Sequence, residues 1–142
     1  MTLLIDAAPL VALADRRDPA REAVRSALAA EPGGLVIPAP VAAEADYLLG
    51  RRIGRAARHA FLDDLASGRF VVECLEPDEY AIVAQLDRGY ADLHLGLADC
   101  ATIVLAARLR TRRVLTFDER HFRAVQPLQG GAFDILPTPR DV

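Results

Sequence analysis

Short apolar runs that alternate with helix-forming segments constrain the fold of this 142-residue chain more than any other feature. Strands separated by helices pair in parallel, because a crossover is needed to bring the chain back to the same edge of the sheet. The sequence therefore predicts an α/β fold with a mostly parallel central sheet of four to five strands, flanked by helices on both faces. The runs are TLLI (2–5), LVIP (35–38), RFVVECLE (69–76), VLTF (114–117) and FDIL (133–136).

Caps and turn residues mark the helices between these runs. No internal repeat or linker interrupts the pattern, so we expect residues 1–142 to form one domain. The predicted segments are a helical turn at 9–14, helices at 18–30, 40–49, 55–66 and 77–90, and a helix around Asp99 that ends near residue 109.

Composition narrows the classes of protein that the chain can represent. The net charge of −3 argues against nucleic-acid binding through bulk charge, although all 17 basic residues are arginines and several cluster at 51–58 and 108–113. These clusters suit either solvated helix faces or phosphate contacts. The two cysteines have no metal-binding spacing, and no apolar run is long enough to span a membrane. We therefore expect a cytoplasmic protein without membrane contact, and we interpret the N-terminal residues as structure rather than a targeting peptide.

Four acidic residues interrupt or terminate apolar segments. Asp6 and Asp118 directly follow predicted strands, Glu44 lies in the helix after the second strand, and Asp99 lies within LGLADCATIVLA (95–106). Each alone is explained by capping of a helix or a turn. Because ligands in such folds bind at the carboxyl ends of the strands, all four are also placed to meet at one edge. Converging carboxylates repel one another unless a cation neutralises them, and a set without cysteine or histidine suits Mg²⁺ or Mn²⁺.

The sequence also resembles the PIN-domain ribonucleases, and among them the VapC toxins of type II toxin–antitoxin pairs. LLIDAAPLVAL resembles the family's first motif with Asp6, and PAPVAAEADYLL resembles the second with Glu44. YADLHLGLADCATIVLAARL is similar to the third, with Asp99, and RRVLTFDERHF to the fourth, with Asp118 and Thr116 as a supporting hydroxyl. The four motifs occur in the family's order over nearly the whole chain.

This resemblance implies a metal-dependent endoribonuclease that cuts structured cellular RNA, either transfer or ribosomal RNA. It further implies Asp6, Asp99 and Asp118 as ligands of Mg²⁺ or Mn²⁺, and Glu44 at the edge of the site, orienting water or a second ion. A cognate antitoxin and a homodimer are the implied protein partners. The chain departs from the family where it has alanine and proline in place of a hydroxyl residue soon after Asp6, and His94 where proline is common.

Other functions fit the sequence less well. A response-regulator receiver needs a lysine after a late strand, and the chain has no lysine. A haloacid-dehalogenase-type phosphatase needs a second aspartate two residues after the first, where this chain has Ala8. No GxGxxG or P-loop supports nucleotide binding. The remaining alternative is a non-catalytic PIN-like module that binds RNA or protein, because a fold alone does not imply catalysis.

Several further polar residues are weaker candidates. His59, His94 and His121 lie near predicted helices, where lone histidines are usually surface or capping residues, and the metal mechanism needs none of them. Cys100 follows Asp99 in an apolar segment and is expected to pack in the core.

Overall fold

The computed structural model describes residues 1–138, so the last four residues of the expected 1–142 domain lie outside the described part. The strands are β1 (Leu3–Ile5), β2 (Leu35–Pro38), β3 (Val71–Glu73), β4 (Arg113–Leu115) and β5 (Asp134–Leu136). The α-helices are α1 (Ala7–Ala14), α2 (Arg21–Ala30), α3 (Ala39–Arg52), α4 (Arg55–Ala66), α5 (Glu79–Gly89), α6 (Leu97–Arg108) and α7 (Glu119–Ala124). A 3-10 turn at Ala91–Leu93 joins α5 to α6.

The five strands form one parallel sheet in the order β3-β2-β1-β4-β5. Along the chain, β2 and β3 lie successively to one side of β1, and β4 and β5 lie to its other side. The strand order therefore reverses between β1 and β4, where Ile5 pairs with Leu115. In open α/β sheets, such a reversal leaves a crevice at the carboxyl ends of the two strands.

Helices cover both faces of the sheet, as the alternation of side chains along a strand requires. Leu3 and Ile5 point to one face and pack with α1, α2, α3 and α4. Leu4 points to the other face and packs with α5, α6 and α7. All three β1 residues are completely buried. The predicted α/β class, with a parallel sheet between two layers of helices, is confirmed.

The structure differs from the sequence prediction at the edges of the sheet. The third strand is shorter than the predicted 69–76 segment, and its residues Val71 and Val72 are exposed, because β3 is an edge strand with one neighbour. β5 is the opposite edge, and Asp134 there is also exposed. Among the described strands, only the three central ones, β1, β2 and β4, are therefore largely buried on both faces of the sheet.

Helix boundaries also differ. α1 begins at Ala7 rather than at residue 9, because the carboxylate of Asp6 accepts a hydrogen bond from the Ala7 N–H group. α2 begins at Arg21, after a turn in which the Asp18 side chain accepts from the Ala20 N–H group. α3 continues to Arg52, three residues beyond the predicted end. The six-residue α7 is absent from the prediction, because so short a helix shows no apolar periodicity.

Among residues 1–138, no helix combines the length and the apolar character that a membrane span requires.

Candidate metal centre

The crevice between β1 and β4 carries two of the predicted acidic residues. Asp6 follows the last residue of β1, and its backbone N–H donates to the carbonyl of Leu115, which continues the ladder by one step. Asp118 lies three residues beyond Leu115 and caps the start of α7, because its Oδ1 accepts from the His121 N–H group. The end of a strand and the start of a helix thus place these carboxylates on the same side of the sheet.

Two helices bring the other acidic residues to the same place. α6 begins at Leu97, so Asp99 lies in its first turn, close to backbone N–H groups that favour a negative charge. Glu44 lies near the middle of α3. All four acidic side chains line one open pocket of about 500 Å³, together with Arg52 and Phe117. The structure therefore brings together Asp6, Glu44, Asp99 and Asp118, which lie up to 112 positions apart in the chain.

Thr116 links the two strand ends. Its hydroxyl donates to Oδ2 of Asp6 over 2.7 Å and accepts from the backbone N–H of Asp118 over 3.0 Å. The residue is only 2% exposed, so solvent does not replace either hydrogen bond. The Thr116 hydroxyl therefore fixes the position of the Asp6 carboxylate relative to the backbone of Asp118.

His121 is a member of the site that the sequence prediction set aside. Its Nδ1 lies 2.6 Å from Oδ2 of Asp99 and 2.9 Å from Oδ2 of Asp118. An ionised carboxylate only accepts hydrogen bonds, so Nδ1 carries the proton in this arrangement. The available signal was the spacing of three residues from Asp118, which puts both on one face of a helix. It was missed because α7 was not predicted.

Burial and mutual repulsion act on the acidic cluster. The pKa of Asp99 is raised above its usual 3.8, mainly because the carboxyl is buried and also because Asp6 and Asp118 carry like charges, while His121 opposes the rise. The pKa of Glu44 is raised as well, first by burial and then by the charges of Asp6 and Asp99. Arg52 lowers the pKa of Glu44 without cancelling this effect. The site therefore holds more negative charge than its own neighbours compensate.

Arginine does not neutralise the cluster. Within residues 1–138, the ion pairs formed by arginine join other acidic residues, such as Glu79 with Arg108 and Asp46 with Arg58, and none includes the four acids of the pocket. Arg52 lines the pocket without forming an ion pair with any of the four acids. His121 offsets part of the repulsion at Asp99 and Asp118, and a cation bound by the carboxylate oxygens would offset more of it.

The donor set fits a divalent cation of the Mg²⁺ or Mn²⁺ type, because it consists mainly of carboxylate oxygens. Among the described residues, Asp99, Asp118 and His121 each offer an atom that lies within 4.8 Å of the others. Asp6 is joined to this group through Thr116, and Glu44 faces it from α3.

The other polar candidates do not contribute to the pocket. His59 is exposed on α4, and His94 precedes α6 in a left-handed backbone conformation. Cys100 is buried, as expected, and burial raises the pKa of its thiol to about 11, which makes it an inert core residue.

Comparison with known proteins places this geometry in a family. The PIN domain model matches residues 3–126. Ribonuclease VapC26 of Mycobacterium tuberculosis (strain ATCC 25618 / H37Rv) is 38% identical over 135 residues, which cover 95% of this chain and all of the relative.

Two solved structures show the same fold. The crystal structure of Mycobacterium tuberculosis VapC20, a sarcin-ricin loop cleaving toxin, superposes with a TM-score of 0.75 at 19% identity, over 82% of this chain and 89% of that one. VapBC2 from Rickettsia felis, bound to a DNA fragment from its promoter, gives a TM-score of 0.67 at 15% identity, over 90% and 96% of the two chains. With the family model and the VapC26 identity, these findings show that the chain belongs to the PIN domain family and, within it, to the VapC ribonucleases.

Proposed function

We propose that this protein is a divalent-metal-dependent endoribonuclease and the toxin of a type II toxin–antitoxin pair, which cleaves structured cellular RNA. One observation carries the proposal: four carboxylates line one pocket at the reversal of strand order, and no arginine of residues 1–138 pairs with any of them. The proposed substrate is transfer or ribosomal RNA. The structural neighbour VapC20, described as a sarcin-ricin loop cleaving toxin, supports a defined RNA element as the target.

Asp6, Asp99 and Asp118 are the proposed ligands of Mg²⁺ or Mn²⁺. When bound, such a cation lowers the pKa of a water molecule and neutralises charge that develops on the scissile phosphate. Glu44 lines the same pocket from α3, where its proposed role is to orient water or a second ion. Thr116 keeps Asp6 in position through its hydrogen bond.

The rim of the pocket suits RNA. Phe117 lies between Thr116 and Asp118, lines the pocket and is 39% exposed, so its ring is available to stack on an unpaired base. Arg52, which also lines the pocket, provides a positive charge for a neighbouring phosphate. Together they would position a single-stranded or looped segment with its phosphodiester over the carboxylates.

A second cavity supports the proposed antitoxin partner. It has a volume of about 710 Å³ and is lined mainly by α1, α2 and α4, with Leu10 and Phe61 among its apolar residues. Four arginines also line it, namely Arg16, Arg21, Arg25 and Arg69, the last of which pairs with Asp64. A cavity lined by both apolar and basic side chains fits an amphipathic segment that carries acidic residues. The homodimer expected from the sequence stays a prediction, which light scattering of the purified protein tests.

The decisive experiment for the activity compares purified protein, freed of antitoxin, with an Asp99→Asn variant on total RNA. We expect discrete cleavage products from the wild type with Mg²⁺ or Mn²⁺, none in chelator, and at least a hundredfold slower cleavage by the variant. Equal cleavage by both proteins, or cleavage in chelator, would overturn the metal mechanism. Absence of cleavage with RNA binding retained would favour a non-catalytic binding module.

A further inference from the structure

We propose that His121 supplies a nitrogen ligand to the metal centre and thereby shifts its preference from Mg²⁺ towards Mn²⁺. This inference rests on the proposed metal-dependent function and concerns the composition of that site. The starting observation is that Nδ1 of His121 faces Oδ2 of both Asp99 and Asp118, at 2.6 and 2.9 Å.

These distances match the spacing of ligands around one cation. In an octahedral site with metal–ligand bonds near 2.1 Å, neighbouring ligand atoms lie about 3 Å apart and opposite ones about 4.2 Å apart. The nitrogen therefore already lies at the spacing of a neighbouring ligand from both carboxylate oxygens. All three atoms also lie within 4.8 Å of one another, as ligands of a single ion must.

The fold holds the His121 side chain in this place. The His121 backbone N–H donates to Oδ1 of Asp118, and the side chain is only 18% exposed. The next residue, Phe122, is buried and packs edge-on against Phe133 at a centroid distance of 5.4 Å, which anchors α7 to the core. Because helix and ring are both fixed beside Asp118, a cation bound by Asp118 has His121 as its neighbour.

Metal binding then requires a change of tautomer rather than a large movement. Without a cation, the Nδ1 proton lies between the imidazole and the two carboxylates. In the neutral ring the proton moves to Nε2, which leaves the Nδ1 lone pair free for the cation. His121, Asp99 and Asp118 would then hold a divalent cation through Nδ1 and two carboxylate oxygens, after small shifts that open the space between them.

A nitrogen ligand has a chemical consequence. Mg²⁺ prefers oxygen ligands and retains its water, whereas Mn²⁺ and later transition metals accept imidazole more readily. A site of carboxylates plus one imidazole therefore discriminates against Mg²⁺ more strongly than a site of carboxylates alone. His121 thus acts as a residue that determines metal specificity.

Pulsed electron paramagnetic resonance of Mn²⁺-loaded protein tests the inference without any activity measurement. The chain has three histidines, so His59→Gln and His94→Asn serve as matched controls for His121→Asn. We expect ¹⁴N modulation from a coordinated imidazole in the wild type and both controls, and its loss in His121→Asn. Bound Mn²⁺ without nitrogen modulation in the wild type would overturn the inference while leaving the metal site intact.

Calorimetry with MnCl₂ and MgCl₂ provides the second measurement. We expect the ratio of Mg²⁺ to Mn²⁺ dissociation constants to fall about tenfold in His121→Asn and to stay unchanged in the two controls. An unchanged ratio in a folded His121→Asn variant would contradict the inference. If His121→Asn does not fold, the presence or absence of ¹⁴N modulation in the wild-type and control spectra still tests whether an imidazole binds the metal. Absence of Mn²⁺ binding by the wild type would overturn the proposed function together with this inference.

Discussion

The hydroxyl of Thr116 donates a 2.7 Å hydrogen bond to Oδ2 of Asp6, a residue 110 positions earlier in the chain. The bond joins the ends of β1 and β4, where the strand order of the sheet reverses. The same hydroxyl accepts from the N–H of Asp118. One buried side chain therefore positions two of the acidic residues on which the proposed chemistry depends.

Thr116→Val should weaken both the fold and the metal site. Valine keeps the shape but removes the hydroxyl, which leaves Asp6 and the Asp118 N–H without their partner. We expect a loss of about 1–3 kcal/mol in the free energy of unfolding. The dissociation constant for Mn²⁺ should rise about 10- to 100-fold, as measured by calorimetry. Thr116→Ser retains the hydroxyl and should bind Mn²⁺ nearly as the wild type does; equal weakening by both substitutions would contradict this role.

Asp99→Asn should stabilise the metal-free protein at neutral pH by about 1 kcal/mol, because it removes a buried charge from a repelling cluster. The raised pKa of Asp99 means that the folded state binds more protons than the unfolded state just above pH 3.8. The wild type therefore loses stability as the pH rises through this window, and the variant does not.

Denaturant unfolding in chelator between pH 3 and 7 measures the difference between wild type and Asp99→Asn. The difference in the free energy of unfolding between the two proteins should grow as the pH rises and disappear below pH 3.8. Asp63→Asn on the exposed side of α4 is the matched control and should show no such gap. A variant that is less stable than the wild type at neutral pH would contradict the repulsion described for the cluster.

Phe117→Ala should raise KM for RNA about tenfold and change kcat little, because a stacked base contributes about 1–3 kcal/mol to binding. Phe117→Trp should retain the affinity. The control is Tyr80→Ala, which removes an aromatic ring of similar exposure from α5, away from the pocket. Steady-state cleavage of a short labelled RNA separates the two constants. A loss confined to kcat would show that Phe117 supports the site rather than the substrate.

Arg16→Glu should lower the affinity of the cognate antitoxin about tenfold, because it reverses one charge on the rim of the arginine-lined cavity. Arg88→Glu on α5 makes the same change of charge elsewhere and should have no effect. Surface plasmon resonance with immobilised antitoxin measures both, and RNA cleavage by each free variant should match the wild type. Equal affinities for the two variants would exclude this cavity as the docking site.

The sequence was sufficient for the architecture because its central strands are short apolar runs, and a parallel sheet follows from their separation by helices. The juxtaposition of Asp6 and Asp118 followed from the same logic, since both come directly after strands. Glu44 and Asp99 were placed at the same edge by their positions in helices, but a carboxylate inside a helix has many ordinary explanations. The resemblance to a family therefore strengthened these two assignments most.

The position of His121 in the site could not be predicted from the sequence. Its part in the site depends on α7, which has six residues and shows no periodicity. The contact with Asp99 also spans 22 positions and two separate helices. A single histidine beside an acidic motif carries no signal of such a contact, and tertiary packing alone creates it. The exposure of β3 and β5 could not be predicted from the apolar runs either. It follows from the strand order, which places these two strands at the edges of the sheet with one neighbour each.

The most direct test of the metal centre is anomalous diffraction from crystals of the antitoxin-free protein grown with MnCl₂. We predict one strong anomalous peak in the pocket, within coordination distance of Asp99 and Asp118 and next to Asp6. Crystals of Asp99→Asn under the same conditions should lack it. A peak elsewhere on the molecule with this pocket empty, or no peak at saturating Mn²⁺, would contradict the account.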